Sequence, residues 1–177
     1  MVRKLSARFQ VHLVDLETKQ FYSSLTRIFK PHGFRRQRTR WYRRSVDCVQ
    51  VIDFQKVHSF RSYHINLHLI LIEEEEDIPL NHWDIRHRIN STSARNKYSI
   101  QNLLDLDEPI SLEEREAEMV VLAESKILPW FERLNCTESI REAVADGFIQ
   151  TSSFLTARAR KLLEPDPGLD LDKEKDA

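Results

Sequence analysis

Tyr63-His64-Ile65-Asn66-Leu67-His68-Leu69-Ile70-Leu71-Ile72 is the stretch that decides the fold. Tyr63, Ile65, Leu67, Leu69 and Leu71 alternate with His64, Asn66 and His68. That period of two belongs to a strand with one face in a core and a second face that begins polar. Immediately upstream, Cys48 to Lys56 is rich in Val, Ile and Phe, residues that suit a pleated, half-buried surface. Its apolar positions do not alternate cleanly, because Val49 and Val51 are out of phase with Ile52 and Phe54. A bulge, or burial on both faces, accounts for that pattern.

Further upstream, Phe34 to Arg44 reads as a short strand, a turn near Arg38-Thr39 and a second strand through Trp41-Tyr42. Before it, Phe21, Leu25, Ile28 and Phe29 form one apolar stripe at helical spacing, from Asp15 or Thr18 onward. Pro31 and Gly33 end that helix. The first 14 residues, with Val11-His12-Leu13-Val14, fit a short strand or a helical lead-in equally well.

Downstream, the five acids Glu73 to Asp77 read as a solvated loop at the sheet rim, and Asp84 to Ile89 alternates again as a further strand. Asn90 to Ser99 is polar without periodicity and is expected to be a mobile loop. Ser111 and Glu114 form a capping box ahead of a stripe through Met119, Ala123, Ile127, Trp130 and Leu134. Pro129 predicts a kink there or a stop at Leu128. Shorter helices are expected over Thr137 to about Ala145, before Gly147, and over about Ser152 to Leu163.

Strands followed by helices argue for an α+β fold: an N-terminal helix, an antiparallel meander of about four strands, then C-terminal helices. Residues 1–163 form one domain on this reading, and 164–177 an acidic, disordered tail. With three glycines, no G-x-G-x-x-G and no Gly-Lys-Ser/Thr, nucleotide folds of the Rossmann or P-loop type are not expected.

A hydrophobic content of 41% with 31% charged residues is that of a globular chain. No apolar run approaches the roughly 18 residues of a membrane span, and the basic N-terminus lacks a following apolar segment. Cys48 and Cys136 sit in no metal-binding or redox motif and read as reduced thiols of a cytoplasmic protein. The net charge of −1 conceals a division. Residues 1–68 carry 14 Lys+Arg against 4 Asp+Glu, and residues 69–177 carry 13 against 24. Two surfaces with different partners, or two halves that neutralise each other, both fit.

The densest feature is Arg35, Arg36, Arg38, Arg40, Arg43 and Arg44, interleaved with Trp41 and Tyr42. Guanidiniums bind phosphate bidentately, and an exposed aromatic beside them stacks on bases. The same residues also describe a hairpin edge whose charges block edge-to-edge pairing, or a surface for an acidic protein. His64 and His68 share a strand face but lie roughly 13 Å apart at strand rise, too far to ligate one zinc. His82, Asp84 and His87 fit no metal box, and no cofactor or metal is expected. No Ser lies in a G-x-S-x-G elbow, and nothing singles out Glu138 or Asp84 as a catalytic acid. Asp53, charged within an apolar strand, is expected to face solvent or to pair with an arginine of the neighbouring strand.

Several of these segments resemble one family. Gly33-Phe34, Trp41-Tyr42-Arg43 and above all Gln50-Val51-Ile52-Asp53-Phe54-Gln55-Lys56 are similar to the opening of domain-of-unknown-function family 4304. Ile65-Asn66, Ile85-Arg86-His87-Arg88-Ile89 and Pro129-Trp130-Phe131-Glu132-Arg133-Leu134 resemble its later blocks, over about residues 21–147. The resemblance implies a small microbial α+β domain and brings no activity, cofactor or catalytic residue with it.

The reading that follows is a non-enzymatic binding module. It presents a charged sheet edge to a macromolecular partner, in the manner of immunity- or inhibitor-type proteins. The alternatives are nucleic-acid binding through the hairpin 35–44, and a hydrolase using His58, His64 or His68 beside Asp53. A protein is the expected partner ahead of nucleic acid, because a nucleic-acid-binding domain usually carries a basic surplus overall.

Overall fold

The alternation between residues 34 and 89 becomes a five-stranded antiparallel meander in the computed structural model. The model describes residues 7–57, 61–72, 82–149 and 155–164, with the backbone alone for 7–15. Strands β1 (Arg35–Gln37), β2 (Arg40–Arg44), β3 (Cys48–Lys56), β4 (Tyr63–Leu71) and β5 (Ile85–Arg88) lie in the order β1-β2-β3-β4-β5. Every pairing joins strands adjacent in the chain. The count is five rather than about four, and the three-residue β1 pairs with Arg36 opposite Trp41.

β3 and β4 pair without a bulge from Cys48–Leu71 to Lys56–Tyr63. Of the two explanations for the broken alternation of β3, burial on both faces is therefore the one realised. One face of the sheet bears Trp41, Ile52, Phe54, Ile65, Leu67 and Ile85, all fully buried in the main core. The other bears Val49, Val51 and Ile70, a small second cluster flanked by Tyr42 and Ile72.

Helices cover the first face. α1 runs over Ala7–Phe29, so the segment around Val11-His12-Leu13-Val14 is helical lead-in and not strand. Its stripe buries Phe21, Leu25 and Phe29, with Ile28 partly buried against them. A 3₁₀ turn at Lys30–His32 with Pro31 follows, and Gly33 closes it at φ +84°. That left-handed conformation is open to glycine at little cost and strained for residues with a Cβ.

The polar segment 90–99 is tied down. Asn96 Nδ2 donates to Glu118 Oε2 at 3.0 Å and to the Glu118 carbonyl at 2.9 Å. A short helix α2 (Ile100–Leu104), which the sequence pattern does not announce, follows with Ser99 as its N-cap. The buried Arg115 guanidinium donates to the carbonyls of Asn102, Leu103 and Glu108, fixing the end of α2.

α3 (Leu112–Leu122) opens on the capping box, with the Glu114 amide donating to Ser111 Oγ at 3.2 Å. The helical run does not stop at Leu128. A π turn, Ala123–Ile127, widens the backbone just before it, and the chain continues as α4 (Leu128–Arg133). Proline lacks an N–H and clashes with the carbonyl four residues back, and one wider turn accommodates both. The whole expected stripe, Met119 to Leu134, is buried.

α5 is Thr137–Ala145, and α6, Ala157–Leu163, starts later than the sequence suggests, on the N-cap Thr156. Asp84, fully buried, anchors α6 to the sheet. It accepts hydrogen bonds from the Leu71 amide, Arg158 and Thr156. The acids 73–77, His58 and the tail from 165 lie outside the described residues.

Candidate functional site

Strand alternation sends the arginines of the hairpin to different sides. Arg36 lies over the Tyr22 ring at 4.7 Å on the helix side. Trp41 is fully buried, its Nε1 donating to Thr26 Oγ1 at 3.3 Å, so it has no face to offer a ligand. Arg43 belongs to the fold as well: its Nε donates to Gln50 Oε1 at 2.7 Å, and its guanidinium covers Phe34 at 4.6 Å. Gln50, fully buried, in turn donates to the carbonyls of Phe131 and Leu134 at the end of α4. Arg38 occupies the turn at φ 57°, its carbonyl accepting from Arg36 Nε.

The remaining members, Arg35, Arg40, Tyr42 and Arg44, fall by register on the opposite face, helix-free among the described residues. Arg35 and Arg44 are exposed, and Tyr42 packs half-buried on Val49, Val51 and Ile70. Arg40 Nε lies 3.3 Å from Asp53 Oδ1, the cross-strand pairing expected of that acid. Asp53 also faces His68, with Nε2 to Oδ2 at 3.7 Å. Burial alone raises the pKa of the Asp53 carboxyl, but His68 and Arg40 more than offset this and hold it below the usual carboxylate range. His68 Nδ1 is buried without a partner among the described residues.

A second charged group lies on the same face, around β5. Asn66 is buried, and its Oδ1 accepts from Arg86 Nη2 and Arg88 Nε, each at 3.0 Å. Gln55 Oε1 accepts from Asn66 Nδ2 at 3.1 Å and more weakly from both guanidiniums. Among the described residues neither Arg86 nor Arg88 has a carboxylate within ion-pair distance. Partial burial and the charge of Arg88 lower the pKa of Arg86. His64, exposed beside them, is lowered by partial burial and then by Arg88 and Arg86. The signal in the sequence was the Arg86-His87-Arg88 alternation, which places two cations on one strand face.

His64 and His68 remain separate, as their spacing requires, and only His68 meets Asp53. His82 Nε2 bonds Asp84 Oδ1 at 3.0 Å, whereas His87 stacks on Trp130 with ring centroids 5.6 Å apart. Among the described residues no group of three His, Cys, Asp or Glu side chains could hold a metal ion. Cys48 is buried, which pushes its thiol up to about 12, and Glu138 accepts from Arg141 Nη1 at 3.4 Å. No described helix is long and apolar enough to cross a membrane.

The model of the family described as a domain of unknown function (DUF4304) matches residues 25–133. No curated protein and no solved structure matches the chain.

Proposed function

We propose, from the premise that the chain belongs to the DUF4304 family, that it is a non-enzymatic binding module whose helix-free sheet face docks an acidic surface of a protein partner. The observation that carries this reading is charge placement. By register that face holds Arg35, Arg40, Arg44, Arg86 and Arg88 on its strands, against the single carboxylate of Asp53. Opposite charge across an interface steers encounter and fixes register.

Nucleic acid fits this face less well. Base stacking needs exposed aromatic rings on the strands, and here Trp41 is in the core and Tyr42 is packed on valines. A hydrolase fits less well too. A general base must reach substrate with its free nitrogen, and the free nitrogen of His68 is buried. The immunity- or inhibitor-type role is the biological form of this reading, supported by size and charge alone.

A photo-crosslinking residue at position 42 or at Glu113 on α3 tests it in the native cell extract. A stoichiometric protein adduct from position 42, absent from position 113 and lost with Arg86→Glu, is expected. Equal adducts from both positions, or salt-dependent nucleic-acid capture in place of protein, would overturn the reading.

A further inference from the structure

We propose that Arg86 and Arg88, with His64 beside them, form a binding site for the phosphoryl dianion of a phosphate monoester. This deepens the reading of the helix-free face as a binding surface and rests on it.

Two half-buried guanidiniums two residues apart on one strand repel each other. Folded proteins ordinarily relieve such a pair with a carboxylate. Here the groups that hold the two forks are neutral amides, Asn66 and Gln55. Asn66 orients both cations through one oxygen without neutralising either. Its side chain is itself fixed, being buried and bonded to Gln55. An aspartate at the same position could supply that oxygen and also neutralise the pair, so the amide leaves the charge free for a ligand.

The geometry selects the ligand class. Arg86 Nη2 and Arg88 Nε lie 3.0 Å from the same oxygen, so they are at most twice that distance apart. Arg86 Nε and Nη1 and Arg88 Nη1 make no hydrogen bond among the described residues, and the Arg86 guanidinium lies over the Trp83 ring at 6.0 Å. A carboxylate brings one charge and two oxygens. A phosphoryl group brings close to two charges and three acceptor oxygens, which matches two forks and a neighbouring imidazole.

The groove of about 280 Å³ next to Arg88 is lined by His64, Ser62, Asn90 and Gln101 and holds one carboxylate, Asp105. His64, on the neighbouring strand β4, therefore lines this groove with Arg88 and Asp105. Its pKa is lowered first by partial burial and then by Arg88 and Arg86, and an anion seated on the two cations offsets their part.

The test is an NMR titration of the full chain with inorganic phosphate and, separately, O-phosphoserine, at constant ionic strength. Saturable shifts at residues 64–66 and 86–88 are expected, with a rise in the His64 ring pKa. Tighter O-phosphoserine binding identifies a phosphorylated side chain as the source, and equal binding identifies the free anion. Arg88→Gln weakens binding about tenfold or more, from the loss of a charge-assisted pair. Asn66→Asp, which keeps the acceptor and adds the missing charge, abolishes it, while Arg27→Gln, on the helix side, leaves it unchanged.

Thermal melts of each variant identify any that fail to fold, and Asn66→Asp then decides alone. Non-saturable shifts, an unmoved His64 pKa, or equal loss in Arg27→Gln would overturn the site. An intact cross-link from position 42 with no phosphate binding removes this site alone. Phosphate binding without the cross-link removes the protein-partner reading alone.

Discussion

Asp53 shows how a single side chain on the helix-free face couples charge to stability. Its carboxyl titrates below the usual range, so the native state binds fewer protons than the unfolded chain as pH falls toward 4. The resulting stabilisation is fully present above the unfolded pKa of about 4 and is lost as pH falls through the lower folded value. Asp53→Asn is expected to lower stability at pH 7 by about 1–3 kcal/mol, because Arg40 and His68 lose their charged partner. It should also flatten the acid limb in urea titrations between about pH 5 and pH 3. An unchanged acid limb would show that the carboxylate is not held by this pair. Cys48 gives a second prediction at this scale. With its thiol raised to about 12, it should resist iodoacetamide at pH 8 until the chain unfolds, whereas the more accessible Cys136 reacts first.

Among the elements, β4 was legible because its alternation holds from Tyr63 to Leu69, and α1 because Pro31 and Gly33 punctuate its end. The hairpin 35–44 was legible as two strands but not as a surface. Residue spacing shows that neighbours point to opposite faces; it does not show which face the helices will cover. Six clustered guanidiniums in sequence therefore became two sets, with Arg36 and Arg43 packed on core rings and Arg35, Arg40 and Arg44 on the other side. The π turn was illegible for a related reason. Proline announces a defect, and only the packing of Ile127 and Trp130 against the sheet decides how the helix absorbs it.

Two substitutions test these elements. Gly33→Ala, at φ +84° and with Arg43 Cδ 3.4 Å from the added methyl, should cost about 1–2 kcal/mol in chemical denaturation. Gln50→Leu removes the amide bonds to the Phe131 and Leu134 carbonyls and to Arg43 Nε and should cost about 1–3 kcal/mol. A neutral result for Gln50→Leu would mean that water replaces the amide.

For the molecule as a whole, the charge division along the sequence resolves into geometry. Arg35, Arg40 and Arg44 of the first half and Arg86 and Arg88 of the second share one sheet face, while Glu114, Glu116 and Glu118 of α3 bond groups on the helix side. Glu116 takes Arg27 and Ser24 of α1, and Glu118 takes Asn96. Asp84 holds the last helix to this assembly, and breaking its buried pair with Arg158 by Asp84→Ala should cost about 3–5 kcal/mol. Amide exchange over Ala157–Leu163 should then accelerate ahead of β3 and β4; uniform acceleration would show that α6 is not separately anchored.

The nearest-neighbour order of the strands has a consequence for biosynthesis. Each hairpin can close as soon as its second strand leaves the ribosome, since no strand waits for a distant partner. β1 to β4 can zip in order of synthesis, and β5, with Arg86 and Arg88, arrives last, onto a sheet already made.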